Sequence, residues 1–121
     1  MLLENKYYKV IRVRVESEGK SIYHVAILPD CNVYEGHFPG NPVCPGVCNI
    51  QTIKECASLL VGKELRISSI KQCLLTAIAS PMVCPEVDVE VQVSEIDGKY
   101  SIVATISDEK RQYMTFKGEG V

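Results

Sequence analysis

One histidine stands in the most constrained stretch of the chain, Gly36-His37-Phe38-Pro39-Gly40-Asn41-Pro42-Val43-Cys44-Pro45-Gly46-Val47. Three of the six prolines and three of the eight glycines fall within the eleven residues from Gly36 to Gly46. Proline fixes φ and glycine admits φ values closed to other residues, so together they hold a loop in one irregular path at low entropic cost. His37 is the side chain of that loop that titrates near neutral pH. The loop feeds a helical pattern opened by Pro45 and Gly46. A helix start presents backbone N–H groups without intrahelical acceptors, together with the positive end of the dipole. Such donors can stabilise an oxygen that develops negative charge. A rigid loop carrying an imidazole onto a helix start is a site geometry, although a lone loop histidine by itself suits a structural or surface role as well.

The flanking patterns say what must position that loop. Residues 7–15 alternate Ile11, Val13 and Val15 with Arg12 and Arg14, a strand with one wet face. Glu18-Gly19-Lys20 turns it into a second strand over about 21–28. Val47, Ile50, Ile53, Ala57 and Leu60 recur at spacings of three and four, which predicts an amphipathic helix ended by Gly62. Strands follow over 66–75, around Val87-Val89-Val91-Val93, over 100–107 and over 112–117. Asp97-Gly98 marks a two-residue hairpin turn. The order is β-β-α-β-β-β-β. A single helix must bury its apolar stripe on the sheet, so the sheet is expected to wrap around it. Cys48, Asn49, Gln51 and Thr52 make the first turns of the helix more polar than burial requires, and chemistry is expected at that end.

Composition narrows the function class. The 121 residues are 46% apolar and 23% charged with a net charge of −2, as expected for a single globular domain over 1–121. Residues 1–60 carry six charges of each sign, so no basic half is available for nucleic acid or an anionic membrane. The longest run free of Asp, Glu, Lys and Arg, Gly36–Ile53, is broken by prolines and glycines and is no membrane span. Residues 1–9 lack a signal-peptide core, which predicts a cytoplasmic protein with reduced cysteines. Cys31, Cys44, Cys48, Cys56, Cys73 and Cys84 show no zinc spacing and read as small hydrophobes, with no metal expected. No phosphate loop or dinucleotide fingerprint appears, so no cofactor is expected.

The Gly-His-Phe-Pro-Gly-Asn-Pro-Val-Cys-Pro-Gly-Val stretch resembles the signature of the 3-hydroxyacyl-acyl carrier protein dehydratases of fatty-acid synthesis. The similarity is densest over 34–57, and the element order extends it over nearly the whole chain. It implies an α+β hot-dog fold, an antiparallel sheet wrapped around one long central helix. It also implies a lyase that removes water from a 3-hydroxyacyl thioester to give the trans-2-enoyl product. By resemblance His37 is the base that takes the α-proton, a task suited to a neutral imidazole. The Gly46 N–H is the donor that polarises the thioester carbonyl as enolate character develops.

The family's third role belongs to a Glu or Asp five residues after that glycine, which protonates the departing hydroxyl. Here the position is Gln51. An amide cannot give a proton to a leaving hydroxide, although it can hydrogen-bond to it. Loss of general acid catalysis costs roughly 3–5 kcal/mol of transition-state stabilisation. Glu55, four residues on, and Glu35, just before the motif, are the nearby carboxylates. Glu55 reads as solvated or ion-paired and Glu35 as a surface residue. Val47 adjoins the donor glycine and is counted with it as substrate-contacting. Phe38 and Tyr34 suit an acyl tunnel or plain core. Cys44 and Cys48 stand where the family has larger apolar residues, and either reshape the acyl pocket or fill space. His24, within a strand, reads as structural.

The resemblance further implies a substrate that brings its own phosphopantetheine arm, as an acyl carrier protein or coenzyme A thioester. It implies a site shared across a dimer, with histidine from one chain and acid from the other. Gln51 then suggests either a homodimer with altered acid chemistry or a heterodimer whose related hot-dog partner supplies the carboxylate. A non-catalytic carrier-binding subunit is the alternative. A hot-dog thioesterase would need a helix carboxylate too, and Gln51 counts equally against it.

Overall fold

A computed structural model describes residues 1–36 and 42–121, so His37, Phe38 and Asn41 lie outside the described residues. The first hairpin pairs β1 (Tyr8–Ser17) with β2 (Lys20–Ile27). A one-turn helix, α1 (Val33–Gly36), precedes the long α2 (Gly46–Val61). Four strands follow, β3 (Ile67–Leu75), β4 (Glu86–Ile96), β5 (Lys99–Ser107) and β6 (Gln112–Gly120). They form one antiparallel sheet in the order β1-β2-β4-β5-β6-β3, so β1 and β3 are its edges. This is the expected α+β architecture, with α1 as an addition inside the proline-rich connection.

Strand alternation decides which side faces α2. Val87, Val89 and Val91 are buried while Asp88 and Glu90 between them stay half-exposed. The register carries that inward row across the sheet: Tyr23 lies beside Val89, Val89 beside Ile106, and Ile106 beside Met114. Two turns are made by residues suited to them. Asp97 and Gly98 both have positive φ, 52° and 76°, as a two-residue turn matching the strand twist demands. Gly19, at φ 79°, lies so close to β4 that an added Cβ would stand 2.8 Å from the Val93 carbonyl oxygen.

The helix buries most of the stripe its apolar spacing predicts, Ile50 and Leu60 partly, and adds polar residues to it. Ile53, Cys56 and Ala57 are fully buried, but Val47 is 75% exposed, and Asn49, Thr52, Glu55 and Ser58 are buried as well. Each buried polar side chain has a partner, the condition under which such burial is tolerated. Tyr7 Oη donates to Asn49 Oδ1 at 2.7 Å, Tyr8 Oη to Glu55 Oε1 at 2.9 Å, and Thr52 and Ser58 donate to the carbonyls of Cys48 and Lys54. Polar residues in the first turns are therefore not a mark of chemistry in themselves. Asn49 and Glu55 tie the helix to the N-terminal segment, whereas Thr52 and Ser58 bond back to their own helix. Gly62 caps α2, its N–H donating to the Ser58 carbonyl at 2.9 Å. All six cysteines are free thiols; Cys44, Cys56 and Cys84 are buried, and Cys31, Cys48 and Cys73 half-buried.

Candidate active site

The start of α2 is held by backbone alone. Pro45 is its N-cap, at φ −65° and ψ 138°, and no side chain caps the helix. The Pro45 carbonyl accepts from the N–H groups of Cys48 and Asn49, at 3.0 and 3.2 Å. The N–H groups of Gly46 and Val47, at the first two helical positions, have no acceptor within the helix. Cys44 enters this turn with its N–H donated to the Ala79 carbonyl at 2.8 Å. Leu75, at the end of the edge strand β3, lies where a Cβ on Gly46 would meet it at 3.6 Å. Val47 and Leu75, both at this end of the helix, have exposed apolar side chains.

Both legs of the histidine loop are tied down. Tyr34, buried in α1, places its hydroxyl 3.5 Å from the Cys44 sulfur, joining the residues that flank 37–41. The Tyr34 ring packs on Tyr7 with centroids 6.3 Å apart, and Tyr7 in turn holds Asn49 in the first turn of α2. Burial pushes the Tyr7 and Tyr34 phenols and the Cys44 thiol up, so all three are neutral at physiological pH. The motif gives no sign of Tyr7 or Asn49, because their contact spans 42 residues of sequence.

Gln51 lies one turn into α2, half-buried, with its amide Nε2 donating to Glu55 Oε2 at 2.8 Å. Glu55 is neither solvated nor ion-paired, contrary to the sequence-based expectation. It is 2% exposed. Its carboxylate accepts from the Leu3 N–H (3.0 Å), the Glu4 N–H (3.0 Å), Tyr8 Oη (2.9 Å) and Gln51 Nε2. Burial alone would raise its pKa, but these donors outweigh it and hold the carboxyl below the usual range. A carboxylate held by four donors has no proton to give near neutral pH. Glu55 is therefore no proton donor near neutral pH, and Glu35 is exposed on α1.

A groove of about 550 Å³ follows α2 from Gln51 towards Gly62, flanked by Met1, Leu2, Leu59 and Lys63. The structure thus gathers Cys44, Gly46, Val47 and Cys48 at the helix start and places Gln51 at the head of this groove. His24 lies elsewhere, on the outer sheet face, its ring nitrogens each 2.7 Å from Asp88 and Glu86. Among the described residues no cluster of His, Cys, Asp and Glu could hold a metal ion. No helix among them is long and apolar enough to cross a membrane.

The family model for ApeI-like proteins, described as ApeI dehydratase, matches residues 13–117. The chain belongs to the ApeI-like dehydratase family. Among curated relatives, the 3-hydroxyacyl-acyl-carrier-protein dehydratase FabZ of Lactiplantibacillus plantarum is 32% identical over 90 residues, covering 66% of this chain and 61% of its own length. FabZ of Lactobacillus helveticus is 53% identical over 67 residues, covering 51% and 44%. The chain thus spans about three fifths or less of these relatives. Among solved structures, the dehydratase heterocomplex ApeI:P from Xenorhabdus doucetiae superposes with a TM-score of 0.68 at 16% identity, over 93% of this chain and 96% of that one. An uncharacterised protein from Erwinia carotovora subsp. atroseptica gives 0.57 at 15% identity, over 93% of each chain. These likenesses establish the hot-dog fold for this ApeI-like dehydratase family member.

Proposed function

We propose that this chain dehydrates a 3-hydroxyacyl thioester, carried on acyl carrier protein or coenzyme A, to the trans-2-enoyl thioester, in fatty-acid or related lipid synthesis. The observation that carries the reading is the family match over 13–117, which includes the whole His37-to-Gln51 segment. His37 takes the α-proton, and the Gly46 N–H at the uncapped start of α2 holds the thioester oxygen as the electron pair moves onto it. Collapse of that enolate forms the double bond and expels the 3-hydroxyl, which must leave as water. Val47, Phe38, Cys44 and Cys48 surround the acyl group. The substrate's own pantetheine arm supplies the thioester, and the chemistry calls for no further cofactor.

What this chain lacks is a carboxyl to protonate the departing hydroxyl; acting alone, it would draw that proton from the protonated His37 or from water. Gln51 has no proton to give and Glu55 is committed as a carboxylate. A second reading is favoured by that hydrogen bond: the protein works beside a related hot-dog subunit whose carboxyl completes the site, as one member of a heterocomplex. β3 supports a second chain, since it is an edge strand with Ile70, Leu74 and Leu75 exposed, and Leu75 abuts Gly46. Exposed apolar edges of this kind invite strand pairing. The structural neighbour from Xenorhabdus doucetiae is itself a dehydratase heterocomplex, which agrees with this reading.

A dehydration and hydration assay on short 3-hydroxyacyl and enoyl carrier-protein thioesters tests it, with wild type run beside His37→Ala and Gln51→Glu. Activity in wild type that His37→Ala abolishes supports a self-sufficient enzyme. Inert wild type with activity gained in Gln51→Glu supports the heterocomplex. Inactivity of all three, alone and with a carboxylate-bearing hot-dog partner, overturns both readings.

A further inference from the structure

An ionised carboxylate accepts hydrogen bonds and donates none, so whatever carboxamide touches it must turn its NH2 group inward. Glu55 imposes that choice on Gln51. The Nε2–Oε2 contact is 2.8 Å, and Glu55 is itself fixed by two backbone N–H groups and the buried Tyr8 hydroxyl. Glu55 cannot swing away cheaply, and it offers Gln51 an acceptor only. Gln51 is half-buried, and the groove along α2 begins at it, so its amide is open to solvent on the side that Glu55 does not hold. With the nitrogen committed, that open side is the carbonyl oxygen.

We propose that Glu55 is a positioning residue that locks the Gln51 amide with Oε1 outward, as the acceptor for the 3-hydroxyl of the acyl thioester. The inference rests on the dehydratase reading and adds a specificity to it. Position 51 keeps the task of recognising the hydroxyl and has lost the task of protonating it. The site then distinguishes a 3-hydroxyacyl chain from the same chain without the hydroxyl by one neutral hydrogen bond, about fivefold in affinity.

Unreactive pantetheine amides provide the test, one bearing a 3-hydroxyacyl chain and one the matching saturated chain, titrated calorimetrically into wild type. Wild type should prefer the hydroxylated ligand about fivefold. Glu55→Gln offers Gln51 a donor as well as an acceptor, frees the amide to turn, and should bring the preference close to unity. Gln51→Met, which leaves the Glu55 clamp on Leu3, Glu4 and Tyr8 in place, should do the same if Glu55→Gln proves too unstable to purify. The double variant Gln51→Glu/Glu55→Gln reverses donor and acceptor, keeps the contact, and should restore the preference. A Glu55 that served stability alone would weaken both ligands equally and leave the ratio unchanged. An unchanged ratio in Gln51→Met, or no preference in a wild type that binds both ligands, overturns the inference while the dehydratase reading survives. Failure of wild type to bind either ligand overturns both.

Discussion

Replacing Tyr8 with Phe removes one donor from the Glu55 carboxylate and leaves the ring in place. Tyr8 is 1% exposed and its hydroxyl lies 2.9 Å from Oε1, so water cannot take its place without opening the core. A hydrogen bond to a charged group contributes about 1.5–3 kcal/mol, and Tyr8→Phe should cost about 2 kcal/mol at neutral pH. Loss of a single hydroxyl creates little cavity, so packing adds little to that figure. The assay is urea unfolding followed by circular dichroism at fixed protein concentration, from pH 3 to pH 8. The donors hold the Glu55 carboxyl below its unfolded value of about 4.3. A depressed carboxyl stabilises the fold above the unfolded pKa and loses that contribution as pH falls through the folded pKa. The gap between wild type and Tyr8→Phe should be full above about pH 5 and shrink at lower pH. A gap under about 0.5 kcal/mol at pH 7, or one that grows on acidification, would mean that Glu55 is not a buried, ionised, four-donor acceptor.

Gly46→Ala should fold at least as well as wild type, since a Cβ there meets only Leu75 at ordinary contact distance and Ala favours helix by up to about 1 kcal/mol. On the function proposed, its kcat/KM should fall all the same, because the methyl would crowd the N–H proposed to hold the thioester oxygen; unaltered turnover would deny Gly46 that role. Gly19→Ala should lose about 1–3 kcal/mol in the same urea assay, from positive φ and the 2.8 Å approach to the Val93 carbonyl, and a neutral result would mean that the hairpin shifts freely. At His24, burial lowers the pKa, but the hydrogen bonds to Asp88 and Glu86 outweigh it and hold the imidazolium, so NMR should show it titrating above 6.5. A raised pKa stabilises below the unfolded value and fades as pH rises through the folded one, so His24→Gln should cost less than about 1 kcal/mol near pH 6, Asp88 and Glu86 being half in solvent, and still less at higher pH.

Elements that follow from local pattern were legible in the sequence. Val87 to Val93 alternate as a half-buried strand does, Asp97-Gly98 makes its turn, and Gly62 ends the helix. The helix face was less legible. Val47 belongs to the apolar stripe by spacing yet is exposed, while Asn49 and Glu55 are buried. The reason is non-local: their partners Tyr7, Tyr8, Leu3 and Glu4 come from the N-terminus, 42 to 52 residues away in sequence. A buried glutamate whose donors are so remote leaves no signal at its own position. At the candidate site, the motif placed Gly46 at the helix start, where the structure has it. The orientation of the Gln51 amide could not be read from it, because it depends on the charge state of Glu55.

On the function proposed, this chain holds the base and the carbonyl donor of a dehydratase but not the acid. Exchange of the α-hydrogen of a 3-hydroxyacyl thioester in D2O separates the two halves of the reaction, since exchange needs proton removal and return but no departure of hydroxide. Wild type alone should exchange the α-hydrogen faster than it releases enoyl product, and His37→Ala should do neither. Elimination with no excess exchange, or exchange that survives in His37→Ala, would contradict that division of labour.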